Sequence, residues 1–155
     1  MIMVVKMLIN LILTIVLLTK VNGLKMPSSS NDIGEGDHFQ PCQIWIKCGT
    51  KDKAARDEFD ACLKLVPDDK MKKFIKAMSN CAKIEWKDVE ATYIDFCVMD
   101  REKQHELFVE LVQIVLEEYS ETCANPIQAN TCTKMIEINE CFIGVLNRVH
   151  AEGKC

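Results

Sequence analysis

The sequence predicts an all-α fold, a compact disulfide-stapled bundle of about five helices. Three observations carry this. Apolar residues recur at helical spacing in one segment after another from Pro41 onward. No stretch alternates strictly between apolar and polar residues, as a half-buried strand does. Nine cysteines are spread through the same region, a density that in an oxidising compartment reads as a disulfide framework.

The chain divides into three parts: residues 1–23, 24–39 and 40–155. Met1 to Lys6 carries one positive charge, Met7 to Thr19 is an apolar run, and Val21-Asn22-Gly23 places small residues at the exit. A charged start, a short apolar stretch and a small-residue exit define a secretory signal peptide, expected to be removed near Leu24. The run is shorter than the roughly 20 apolar residues of a membrane-spanning helix. The expected location is therefore secreted and extracellular, with no membrane span. Removing Lys6 and Lys20 from 19 basic residues leaves 17 against 23 acidic ones, a net charge of −6. Nucleic acid is not an expected partner, because phosphate binding depends on neutralisation by Lys and Arg.

Residues 24–39 mix Pro27, serines, glycines and acids without period and read as a flexible leader. Within the 40–155 domain a short piece runs from Pro41 to Cys48 and ends at Gly49. A helix from about Asp52 to Val66 places Ala55, Phe59, Cys62, Leu63 and Val66 on one stripe, and Pro67 stops it. Asp68 is expected to cap the next, whose stripe is Met71, Phe74, Ile75, Met78, Cys81 and Ala82. Another spans about Glu85 to Met99 with Trp86, Val89, Tyr93 and Phe96 inward. Asp100 caps the longest, Arg101 to Glu121, carrying Leu107, Phe108, Leu111, Val112, Val115 and Tyr119. Asn125-Pro126 interrupts the chain, since a residue before proline disfavours helical dihedrals. The last helix, about Thr131 to His150, presents Cys132, Met135, Phe142, Ile143, Leu146 and Val149.

The cysteines expected to form four intramolecular bridges are Cys42, Cys48, Cys62, Cys81, Cys97, Cys123, Cys132 and Cys141. Cys155 follows Gly153 at the chain end, where ordering is weakest, so it is the expected unpaired thiol or the link of a disulfide dimer. Cys132 and Cys141 lie nine residues apart. At about 100° per residue they face opposite sides of one helix and should bridge to different partners. The Pro41–Cys48 piece is best able to cover the back of that helix, which predicts that Cys42 or Cys48 bridges to Cys141. Cys141 and Cys155 would stand about 21 Å apart along a continuous helix, beyond the roughly 4.4–6.8 Å a disulfide spans.

No catalytic, cofactor or metal site is expected. His38, His105 and His150 lie in different segments, without the i, i+4 spacing that gathers a metal. Close cysteine pairs of the C-x-x-C kind, which supply zinc ligands or redox chemistry, do not occur. There is no G-x-S-x-G elbow, P-loop or dinucleotide fingerprint. Gly34-x-Gly36 beside Asp37-His38 has the flavour of a calcium-dependent lipase, but no helical His-Asp pair flanked by cysteines accompanies it. Paired carboxylates such as Asp68-Asp69 and Glu117-Glu118 read as solvated helix surface, and the first pair suits a helix N-terminus.

The run Cys123-x8-Cys132-x8-Cys141 is similar to the spacing of the last three cysteines of insect odorant-binding proteins, secreted helical bundles with six cysteines that enclose a small apolar ligand. The C-x3-C pair those proteins carry earlier is absent here, so the likeness covers only Cys123 to Cys141. In composition the chain also resembles acidic, cysteine-rich venom and salivary proteins of arthropods. The expected function is non-catalytic, exerted by surface binding to another macromolecule such as an extracellular protein or receptor. The alternative is an extracellular carrier of a small hydrophobic ligand, with Met71, Phe74, Met78, Phe108 and Met135 lining a cavity, methionine being adaptable. Otherwise those residues fill the core.

Overall fold

The structure is a computed structural model and describes residues 36–49 and 52–155. The expected signal peptide at 1–23 and the expected leader up to residue 35 lie outside the described residues. Of the described residues 81% are helical, in six α-helices and two short turns of π and 3₁₀ helix, with no strand among them. We label the helices α1 (Phe39–Ile44), α2 (Lys53–Leu63), α3 (Asp68–Ala82), α4 (Val89–Val98), α5 (Arg101–Cys123) and α6 (Ala129–Ala151). A π-helical turn, Trp45–Gly49, continues α1, and a 3₁₀ turn, Pro126–Gln128, leads into α6.

Acidic caps start three of the helices. The side chains of Asp52, Asp88 and Asp100 accept from the backbone N–H groups of Ala55, Ala91 and Lys103 at 3.1, 2.8 and 2.8 Å, satisfying donors with no partner inside the helix. At α3 the expected cap is displaced by one residue. Pro67 holds the N-cap position and makes no side-chain bond, while Asp68 and Asp69 lie in the first turn. Proline suits a position where an N–H is not needed. Helix α4 begins later than predicted because Asp88 is a strong cap. Trp86 lies outside the helix yet is buried, its Nε1 donating to Asp95 at 2.7 Å.

Two buried clusters form the core. One joins Cys42, Ile46, Ala55, Phe59 and Cys62 to Val145, Leu146 and Val149, packing α1 and α2 on the end of α6. The other gathers Met78, Trp86, Phe96 and Leu107 from α3, the α3–α4 link, α4 and α5. The end of the leader is not free-standing. His38 Nε2 lies 2.7 Å from Asn147 Oδ1, and its ring stacks on His150 with centroids 4.3 Å apart.

Four disulfides cross this architecture: Cys42–Cys155, Cys48–Cys97, Cys62–Cys141 and Cys123–Cys132. Two expectations are corrected. Cys155 is paired, and the free thiol is Cys81 on α3, half-buried. Cys141 bridges Cys62 of α2 rather than Cys42 or Cys48. The reason lies at the C-terminus. Gly153 adopts φ +67°, and Gly153 N–H bonds to His150 O at 2.8 Å while Lys154 N–H bonds to Val149 O at 3.2 Å. This is the Schellman pattern, which reverses the chain at a helix end. It turns Cys155 back onto α1, with a Cα–Cα distance of 4.9 Å to Cys42, and Lys154 reaches Asp52, the cap of α2, at 2.8 Å. The back of α6 is covered by α2, which brings Cys62 to Cys141. Cys132, on the other side of α6, meets Cys123 across the α5–α6 turn.

Candidate functional site

Between the helices lies an apolar cavity of about 420 Å³ to which all six contribute side chains. Phe39 of α1 and Phe59 and Leu63 of α2 close one end. Helix α3 presents Met71, Phe74, Ile75 and Met78, the stripe legible in its sequence. Helix α4 adds Val89, Tyr93 and Phe96, α5 adds Phe108, Leu111 and Val115, and α6 adds Met135, Ile138, Phe142 and Ile143. The five residues named from sequence as possible lining, Met71, Phe74, Met78, Phe108 and Met135, all face this one space. Four of them are only half-buried despite pointing inward, Met78 being the buried one. Val112 and Leu116, also in the wall, are 40% and 58% exposed, so the cavity is not sealed along α5.

A void of this size is unusual for a small domain, since protein interiors pack like molecular crystals with few gaps larger than a water molecule. It falls in the range of small-molecule sites, which are apolar with a few placed polar groups, roughly 300–1,000 Å³ in volume. Those groups here are Gln43, Lys70, Thr92, Tyr93 and Asn139. Gln43 is 8% exposed and its Nε2 donates to the Tyr93 hydroxyl at 3.0 Å. Burial pushes the Tyr93 phenol up to about 12, with the Asp60 charge adding to the effect and the Gln43 bond opposing it. Thr92 Oγ1 donates to the Asp88 carbonyl at 2.9 Å and is occupied within its own helix.

Among the described residues Lys70 is the one charged side chain of the wall, and it is held by Glu118 of α5. Glu118 is 4% exposed and accepts from both Lys70 and Lys73. Those two hydrogen bonds keep its carboxyl below the usual carboxylate range and tie α3 to α5. A second, charged groove of about 790 Å³ shares Leu63, Met71, Val89 and Tyr93 with the cavity wall. It is lined by Lys47, Arg56 and Lys64 against Asp57, Asp60 and Glu90. Lys47 pairs with Asp60 at 2.5 Å and lies 4.6 Å from the centroid of the Tyr93 ring, a cation–π contact. Tyr93 is therefore the partition between a charged outer groove and an apolar interior.

Among the described residues, the donor atoms of Cys42, His150 and Cys155 lie within 4.8 Å of one another. Both sulfurs belong to a disulfide, which leaves a single imidazole and no ligand set for a metal. His105 Nδ1 lies 2.8 Å from Gln40 Oε1. No helix among the described residues is long and apolar enough to cross a membrane.

The inward polar pair was not singled out from the sequence. Gln43 lies in a helix of six residues, too short for a periodic stripe to mark its buried side, and Tyr93 reads simply as one more core aromatic. Searches against protein-family models, curated proteins and solved structures find no match for this chain.

Proposed function

We propose that this protein is an exported, non-catalytic carrier that binds a small hydrophobic molecule among its helices. The observation that carries the reading is the 420 Å³ apolar cavity. Apolar side chains that line an unsealed cavity face water, at a cost of roughly 25 cal/mol per Å² of apolar surface. Keeping so much unfilled space works against a domain whose whole stability is typically about 5–15 kcal/mol. An occupant relieves that cost, and four disulfides stabilise the fold when the occupant is absent. A protein acting on a macromolecule through its surface has no use for such a cavity, which is why carriage is preferred here over surface binding. Export is supported by the charged-apolar-small pattern of residues 1–23 and by the disulfides, which persist in oxidising compartments.

Fluorescence titration of the mature chain with N-phenyl-1-naphthylamine, a neutral apolar dye, tests the reading. Saturable one-to-one binding with a blue-shifted emission is expected. Met135→Trp, which places an indole in the cavity, should weaken it at least several-fold while the melting temperature is maintained. Absence of saturable binding, or binding indifferent to Met135→Trp, overturns the carrier reading.

A further inference from the structure

The apolar wall has one place where a hydrogen-bonding group is both buried and rigidly held. Gln43 and Tyr93 meet there at 3.0 Å, on α1 and α4 respectively, and both border the cavity. A side-chain amide has two N–H donors and a carbonyl, and a phenol both donates and accepts. Their mutual bond engages only one donor. Whichever way the amide is turned, the pair keeps at least one further donor and an acceptor. The Tyr93 ring is fixed from three directions: the Gln43 bond on its hydroxyl, the Lys47 ammonium 4.6 Å from its centroid, and Phe96 edge-on at 6.2 Å. A donor held in this way is pre-organised, so little ordering cost accompanies its use.

The surroundings also determine what charge this point accepts. A carboxylate brought to the pair would lose its hydration in an apolar wall, which is costly for an unpaired ion. Lys47, the nearest ammonium, is already neutralised by Asp60. Lys70, the charged member of the wall, is bonded to Glu118. A neutral group finds partners here and an ionised one does not.

We infer that the cavity selects molecules that are apolar over most of their surface and carry one uncharged hydrogen-bonding group, an alcohol, phenol or carbonyl, and that Gln43 and Tyr93 are the residues that read it. The inference rests on the carrier reading and adds its ligand class. At about 30 Å³ per water-sized group, 420 Å³ holds on the order of a dozen heavy atoms, so a bicyclic aromatic is a fitting probe.

Equilibrium dialysis of the mature chain, disulfides intact, against naphthalene, 2-naphthol and 2-naphthoate at neutral pH separates the possibilities with one rigid shape and three polarities. The expected order is 2-naphthol roughly tenfold tighter than naphthalene, the gain of one well-made hydrogen bond, with 2-naphthoate the weakest. Gln43→Leu and Tyr93→Phe should each reduce 2-naphthol toward the naphthalene level and leave naphthalene itself within about twofold. The order among the three ligands is read on the unaltered protein, so it holds even if a variant folds poorly. If none of the three binds, the carrier reading fails. If naphthalene binds but 2-naphthol gains nothing, or 2-naphthoate binds tightest, the carrier stands and the proposed selectivity is overturned. It is equally overturned if the 2-naphthol advantage survives both variants and disappears in Asn139→Leu, the other amide of the wall.

Discussion

The two ends of this bundle are held by different means. Where α1 and α2 meet the end of α6, the core is fully buried at Cys42, Ile46, Cys62 and Val149, and two disulfides bind the segments across sequence separations of 113 and 79 residues. Helix α3 is the opposite case. It supplies much of the cavity wall, its inward residues Met71, Phe74 and Ile75 are only half-buried, and its cysteine, Cys81, is the free one. Among the described residues α3 is the single helix without a disulfide; it is held across the cavity by the Lys70–Glu118–Lys73 cluster. The lesson is that two of the covalent staples lie where packing is already tight, whereas the α3 part of the cavity wall is secured by ion pairs, which open and close more readily.

The largest test of this contrast removes staples. The Cys42→Ser, Cys155→Ser double variant releases the longest loop. It should lose about 4–5 kcal/mol in urea unfolding, against about 2–3 kcal/mol for Cys123→Ser, Cys132→Ser, because loop-closure entropy grows with loop length. Equal losses would mean that local strain or packing, rather than the closed loop, governs the terminal bridge.

Next in size is the noncovalent clamp. Glu118→Gln removes the charge that two lysines share and should cost about 1.5–2 kcal/mol, the scale of hydrogen bonds to charged groups tempered by the partial exposure of both lysines. The sign of its pH dependence follows from the direction of the shift. Since the folded carboxyl titrates below its unfolded value, near 4.5, its contribution is complete above about that pH. It is lost as pH falls through the lower folded value. Urea unfolding from pH 7 to pH 3 should show this slope in the wild type and a shallower one in Glu118→Gln. Dye affinity should fall in the variant even at neutral pH, because α3 is loosened. A variant with unchanged affinity would show that the wall is rigid without the clamp.

Smaller effects are expected at two of the left-handed residues. Gly153, at φ +67°, permits the turn that returns Cys155 to α1, so Gly153→Ala should cost about 1–2 kcal/mol. Lys83 ends α3 at φ 58° with a side chain that gains nothing from this conformation. Lys83→Gly should therefore raise stability by about 0.5–1 kcal/mol. Thermal melts of the two variants, shifting in opposite directions, check both. The least perturbing test concerns Cys81. Alkylation without reduction should label this residue and no other, with little change in melting temperature. Labelling at Cys155 instead would undo the terminal half of the comparison.

Much of the helical layout was legible because it rests on local rules. Asp100 reads as a cap and acts as one; Pro67 and Asn125-Pro126 read as breaks and separate helices. The stripe of α3 named the residues that later proved to share one space, but periodicity marks an inward face without saying whether that face meets protein or void. That is decided by the distance between helices, which depends on every contact in the bundle. Disulfide partners were illegible for a related reason. The position of Cys155 is determined by a turn at Gly153 whose direction makes sense only once α1 and α2 are in place. Gln43 escaped notice because its short helix holds too few residues to show a period.

The Cys42–Cys155 bridge makes the domain a closed ring in covalent terms. Every peptide bond between those two cysteines can be cut singly without dividing the molecule. A protease that severs a loop between helices therefore adds the mass of a water and leaves one particle, with its helices still tethered around the cavity. Intact and singly nicked chains should remain together through denaturation and separate only when a reductant opens the ring.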